Sequence, residues 1–309
     1  MPDRRLIAFA VTLSFASVAS AQGSLTLDHY RPAETALDGF ALSRPVGLGH
    51  VGFGARLDVD YGLDPLVLSG AAHVQHQLTG QVGVALGLLE RIVVSARLPV
   101  VLVMQGDAAA GDPLASGAGL GDVALSARWV LAGHDEDETF GLALQLESTL
   151  PTAEAAAPAQ RLAGESGVSF TPETVAELRF APVRITANVG LRFREQAQLA
   201  RLGVRHELTW GVGVGVDIVE DFVDVTLEGY GTTALDRFAQ SDVSPVEAIL
   251  GARVRPVNGM LIGLAGGLGL GDGYGSPAFR AVLSVGWADE LVAAPPTFEG
   301  GGADDEPDP

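Results

Sequence analysis

A two-residue hydrophobic period, repeated about twelve times, constrains this chain more than any other feature. Its clearest instance is residues 184–194, Arg-Ile-Thr-Ala-Asn-Val-Gly-Leu-Arg-Phe-Arg. Ile185, Ala187, Val189, Leu191 and Phe193 alternate with Arg184, Thr186, Asn188, Gly190, Arg192 and Arg194. Successive side chains of a strand point to opposite faces, so this stretch has one apolar and one polar face. A helix would bring Arg184, Asn188 and Leu191 to one side and mix the two.

The same alternation is read at residues 53–61, 82–88, 92–98, 123–129, 140–147, 176–180, 207–217, 223–228, 247–255, 260–270 and 279–287. Pro99 cannot donate to a ladder and is placed where the third strand bends away from the membrane. The connections alternate in length. Residues 89–91, 134–138, 181–182, 219–221 and 257–259 are tight, the last containing the hairpin pair Asn258-Gly259. Residues 63–75, 105–119, 151–167, 195–203 and 235–244 are long, and 271–277 is modest. Outer-membrane barrels have short periplasmic turns and longer outer loops. The expectation is therefore an all-β chain, a transmembrane up-and-down antiparallel β-barrel of about 12 strands. Its apolar face points to lipid, and both termini are periplasmic.

Composition agrees with that expectation. Of 309 residues, 47% are hydrophobic and mean hydropathy is positive, yet no internal stretch approaches the roughly 18 consecutive apolar residues of a spanning helix. Residues 1–21 read as a signal peptide, with Arg4 and Arg5, an apolar run at 6–18, and Ala19-Ser20-Ala21 as the cleavage site. Residues 22–49, with Pro32 and Pro45, read as a periplasmic lead-in packing at the barrel mouth. The barrel is assigned to 50–290. Residues 291–309 form an acidic Gly/Pro-rich periplasmic tail, expected to be disordered or extended, that contacts envelope components.

The net charge is −19, so no basic surface is available to neutralise phosphates, and a nucleic-acid partner is excluded. The partner expected from the pattern is outer-membrane lipid; oligomeric state is not readable. Without Cys there are no disulfides or thiolate metal sites. His50, His73 and His76 lack metal spacing, and residues 135–138 are an acidic solvated turn. The Gly-x-Gly-x-x-Gly-like string at 267–273 leads into a strand rather than a helix, which rules out a dinucleotide fingerprint. No Ser-His-Asp set is found. No cofactor is expected, and the chain is not read as an enzyme.

Strand parity sends the charged residues inward. They are Arg56, Asp58, Asp60, Arg97, Asp122, Arg128, Glu147, Glu177, Arg179, Arg184, Arg192, Arg194, Glu207, Asp217, Asp224, Glu228, Glu247, Arg253, Arg255 and Arg280. They either tune an open lumen or close it as a network of ion pairs. Trp129, Trp210 and Trp287 are read as membrane-interface residues. With aromatics at 6%, the belt is expected to be thin.

Several short pieces resemble a known family. They are residues 28–33 (Asp-His-Tyr-Arg-Pro-Ala), 61–68 (Tyr-Gly-Leu-Asp-Pro-Leu-Val-Leu), 119–122 (Gly-Leu-Gly-Asp), 168–172 and 271–277 (Gly-Asp-Gly-Tyr-Gly-Ser-Pro). Their order and spacing over most of residues 25–290 resemble the N-terminal barrel of OmpA-like outer-membrane proteins that carry thrombospondin-type-3-like acidic repeats after the barrel. The resemblance implies an outer-membrane barrel of about twelve strands, followed in longer relatives by calcium-binding repeats and a peptidoglycan-binding domain. Residues 300–309 are similar to the opening of such a repeat without its full Asp-x-Asp-x-Asp-Gly cage. The functional expectation is a porin-like passive channel for small solutes. The alternative is a structural anchor with a charge-plugged lumen and no transport, and an outer-membrane enzyme ranks third.

Overall fold

The computed structural model describes residues 25–68, 71–106, 117–133, 138–156, 162–199 and 202–289. The stretches expected to be a signal peptide (1–21) and an acidic tail (291–309) lie outside the described residues. Twelve long strands carry the fold: β1 (Phe53–Leu68), β2 (Ala71–Leu88), β3 (Ile92–Gln105), β4 (Val123–Ala132), β5 (Phe140–Leu150) and β6 (Ser169–Phe180). They continue as β7 (Val183–Arg192), β8 (Glu207–Val219), β9 (Val223–Ala234), β10 (Val246–Val254), β11 (Met260–Gly269) and β12 (Phe279–Ala288). Each pairs antiparallel with its neighbours in sequence, and β1 pairs with β12 from Gly54↔Ala288 to Leu63↔Phe279. The sheet is thus a closed up-and-down barrel with no free edge, the β solution that satisfies every ladder group in lipid.

Burial is inverted relative to a soluble protein. Along β7, Arg184, Thr186, Asn188 and Arg192 are buried, whereas Ile185, Val189, Leu191 and the following Phe193 are exposed. Leu227, Leu250, Leu264 and Leu283 are likewise exposed on other strands. The outer face is the apolar one.

Aromatics gather at the two ends of this face. Phe53, Trp129, Phe140, Phe180, Phe222 and Trp287 are exposed near the tight turns, and Phe170, Phe193 and Phe279 near the other end. Trp210 lies toward that second end, opposite Val189 and Gly231. Phe170 and Phe180 bracket β6. Ten residues at about 3.3 Å rise, tilted about 40°, give about 25 Å of height, the apolar band of an outer-membrane barrel. Two aromatic belts are present, fuller than 6% aromatics led us to expect, because among the described aromatics only Tyr30, Phe40, Tyr230 and Tyr274 are buried.

Three features differ from the sequence reading. The expected long loop at 63–75 is largely strand, since the β1–β2 ladder continues from Leu63↔His76 through irregular register to Leu68↔Ala71. Pro99 does not end β3. It sits opposite Gln81 where the β3–β4 ladder stops at Arg97↔Ala124 and the two-residue strand Gly119–Leu120 takes over. Its missing N–H falls at this change of partner, and its carbonyl accepts from Gly121 N at 2.8 Å. The tight hairpin at 258–259 is as expected. Gly259 has φ +79°, and a Cβ there would fall 2.5 Å from the Trp287 ring.

The largest departure is residues 25–48. They do not stop at the barrel mouth but run through the interior. Leu25 and Leu27 join Leu162, Val243 and Tyr274 in an apolar cluster among the long loops. Tyr30, Phe40 and Leu42 pack on Tyr230, Ile249 and Val282 in mid-barrel. Ala36 and Leu48 pack on Ala85, Val93 and Ala288 near the tight turns. The segment descends, doubles back through a loop closed by Ala33 N→Phe40 O at 3.1 Å, and descends again to β1. Leu25 and Ala288, nearly the first and last described residues, therefore lie at opposite ends of the barrel, not on one side.

A closed ring of twelve strands about 4.8 Å apart and tilted about 40° has a radius on the order of 12 Å. Wall side chains as long as Arg and Glu narrow the central space to what a folded-back segment can fill. Residues 25–48 occupy that space.

Candidate functional site: a charged lumen and its internal plug

The inward faces of the strands deliver the predicted charges to one place, and the plug meets them there. On β1, Arg56 holds Asp58 with two bonds (2.7 and 2.9 Å) and donates to the carbonyls of Gly39 (2.8 Å), Phe40 (3.0 Å) and Thr35 (3.2 Å). On β9, Glu228 accepts from three consecutive plug amides, Phe40 (2.8 Å), Ala41 (2.7 Å) and Leu42 (3.1 Å). The two side chains clamp the same plug turn from β1 and from β9. Gly251 and Gly263 make room for it, since a Cβ at either would lie 2.3 or 2.9 Å from the Phe40 ring.

On β4, Arg128 is 1% exposed. It bonds Asp38 of the plug at 2.8 and 2.9 Å, Gln145 at 2.9 Å, the Arg44 carbonyl at 2.7 Å, and Glu34. Glu177 on β6 takes Arg44 of the plug at 2.8 and 3.0 Å and Arg179 at 2.6 Å. Arg280 on β12 joins Asp60 (2.6 Å), Glu247 (2.7 Å) and the plug's Asp28 (3.0 Å). Asp224 takes both Arg184 and Arg253 at 3.0 Å, and Arg253 also bonds the Asp38 carbonyl. Arg97 on β3 and Arg31 of the plug share Glu147, each at 2.8 Å.

Near the long loops Glu207 faces Arg192 at 3.6 Å and Arg194 at 3.4 Å, and accepts from the Tyr274 hydroxyl at 2.9 Å. Arg194 lies beyond the end of β7 and reaches Glu165 of the β5–β6 connection at 3.1 Å, so it belongs to the mouth rather than the wall. Asp122 lies just before β4 and accepts from the amides of Ala153 and Glu165, which makes it a loop anchor. Arg255 is a correction. It follows β10 and pairs at 3.1 Å with Asp221, whose side chain is 88% exposed, so it sits on the outer rim by the tight turns. Asp217, whose side chain is 46% exposed, is a rim partner of Arg184.

The plug's own charges, Asp28, Arg31, Glu34, Asp38 and Arg44, complete this network and were not among the expected lumen residues. Their segment has no periodicity, and nothing local says that it goes inside. All 19 basic residues of the chain are arginine. A planar guanidinium holds two carboxylates or several carbonyls at once and is less costly to strip of water than an ammonium, which suits an interior of this kind. Pairs this dry gain little net stability, but each is costly to break from one side.

Among the voids beside the plug are three of about 110, 50 and 10 Å³. About 10–15 Å³ of this measure holds one water. Among the described residues no cluster of three or more His, Asp or Glu is arranged to hold a metal ion. His76 is tied to the Tyr61 hydroxyl at 2.7 Å.

No family model matches the chain, and no curated protein matches it. Solved structures do. An outer-membrane channel from Pseudomonas putida F1 superposes with a TM-score of 0.61 at 13% identity, over 78% of this chain and 96% of that one. The NanC porin gives a TM-score of 0.50 at 8% identity, over 76% of this chain and 97% of that one. At such identities the likeness is one of architecture: this chain has the fold of outer-membrane β-barrels.

Proposed function

We propose that this protein is an outer-membrane β-barrel of the passive-channel type whose lumen is closed, in the state described, by its own residues 25–48. The observation that carries the reading is the clamp of Arg56 and Glu228 on the plug turn, set in a wall of otherwise polar side chains. A wall carrying this many arginines and carboxylates fills with water once the plug leaves, because buried charges without partners cost several kcal/mol each. The apolar outer band, the two aromatic belts and the resemblance to barrels followed by acidic repeats support placement in an outer membrane with the tight turns toward the periplasm. The neighbouring channel folds support transport of small solutes over enzymatic work.

Planar-bilayer recording on the purified protein tests this. The full chain is expected to give small, infrequent currents, and a variant lacking residues 25–48 stable pores. A deletion variant that folds, as shown by a heat-dependent gel shift in SDS, yet carries no current would refute the channel reading. A structural anchor is the second reading. It is favoured by the tight pairing of plug and wall, and such a silent barrel would support it.

A further inference from the structure

We infer that Arg97, held by Glu147 and Arg31, is the septum that interrupts a narrow passage beside the plug, so that this triad rather than the plug as a whole sets the leak of water and small ions. The inference rests on the channel reading above. Arg97 lines all three voids, Glu147 lines the two of about 110 and 10 Å³, and Arg31 lines the two of about 110 and 50 Å³. The three spaces therefore meet at one cluster of side chains.

The cluster is built as a movable partition. Arg97 Nη2 bonds Glu147 Oε2 at 2.8 Å and its Nη1 bonds the Pro32 carbonyl at 2.6 Å, while Arg31 Nη1 takes Glu147 Oε1 at 2.8 Å. These side chains are also the wettest of the interior ion pairs. Arg31, Arg97 and Glu147 are 23%, 14% and 13% exposed, against 1% for Arg128 and 2% for Arg280. Side chains that already face water rearrange at little desolvation cost. A rotamer change of Arg97 joins the voids at the cost of one plug bond, that to the Pro32 carbonyl, whereas freeing Arg128 would break its bonds to Glu34, Asp38 and the Arg44 carbonyl together. Two guanidiniums meet one carboxylate at the septum, while Glu34, Glu173, Asp28 and Asp122 line the voids on either side, so the charge at the septum is set against carboxylates and removing Glu147 tips the balance toward anions.

The test is conductance of the full chain in planar bilayers bathed in potassium chloride, for Arg97→Ala, Glu147→Gln and, as a rim control, Arg255→Ala. Arg97→Ala removes the partition, and Glu147→Gln frees both arginines to repel one another. Each is expected to raise the current severalfold over the unmodified protein, Glu147→Gln with a reversal potential shifted toward chloride. Arg255→Ala is expected to leave both unchanged. If Arg97→Ala fails to fold, Glu147→Gln decides alone. Either septum variant showing the heat-dependent gel shift but only the unmodified current overturns the inference. If that happens while the deletion of residues 25–48 does conduct, the channel reading stands and only the septum falls. If the deletion variant is silent too, the channel reading itself has failed.

Discussion

Replacing Glu228 by Gln should unseat the plug while leaving the barrel closed. The carboxylate accepts from three consecutive amides at 2.7–3.1 Å and is 1% exposed. A glutamine with its oxygen in the Oε2 place keeps the Ala41 and Leu42 bonds without their charge and turns its NH2 toward the Phe40 amide, so one charge-assisted bond is lost outright and two are weakened. Each is worth about 1.5–3 kcal/mol, and the relief of no longer burying a charge offsets part of the loss. A net weakening of about 2–4 kcal/mol follows, which at about 1.4 kcal/mol per decade raises the unseated fraction on the order of 30- to 700-fold. The wall ladder does not pass through this carboxylate. The Glu228↔Ile249 and Gly213↔Glu228 register pairs use backbone atoms alone. Limited chymotrypsin digestion of the folded protein in detergent reads the change directly, because the plug contains Tyr30 and Phe40, neither followed by proline, and proteolysis tracks the open population when opening is fast. Cleavage after these two residues should accelerate by that factor, with the heat-dependent gel shift retained. Equal digestion rates for Glu228→Gln and the unmodified protein would show that the three amide bonds do not hold the plug.

Two other outcomes follow from the same geometry. Arg128→Met leaves Asp38 and Glu34 facing each other without a cation and should cost about 3–5 kcal/mol, read as a lower temperature for the gel shift. Leu283→Arg, at the middle of the outer face of β12, should cost about 2–4 kcal/mol in urea unfolding from lipid vesicles, and Phe180→Arg at the rim about 0–1 kcal/mol; equal costs would argue against the assigned membrane band.

Much of the wall was legible in the sequence because a strand's faces are written at period two. Arg56, Asp58, Asp60, Arg128, Glu177, Arg184, Glu228, Glu247, Arg253 and Arg280 were placed inward by parity alone, and all are buried. Arg255 was misplaced because parity does not say where a strand ends, and β10 ends one residue earlier. The β1 and β2 extensions were missed because Pro65 and the mixed residues around it break the alternation there, even though pairing continues through an irregular register. The plug was missed for a different reason. Its partners lie far away in sequence, as with Asp38 and Arg128 or Phe40 and Glu228, and no local rule encodes such contacts.

The absence of regular structure in residues 25–48 has a physical explanation in the wall. A buried segment must satisfy its backbone groups, and a helix or strand would do so internally or along an edge. Here wall side chains do it. Arg56 takes carbonyls of the turn and Glu228 its amides, Arg97 bonds the Pro32 carbonyl, Gln81 the Tyr30 carbonyl at 3.2 Å, and Arg128 the Arg44 carbonyl. The polar face of each strand thus supplies to the plug what a β-ladder would have supplied. No residue of the plug belongs to a described ladder of the barrel. Its removal therefore breaks side-chain bonds and the loop contact Leu27 N→Leu162 O at 3.1 Å, but no ladder bond, and leaves the twelve-stranded ring closed, which is the property a barrel needs if its interior is to be emptied and refilled without unfolding.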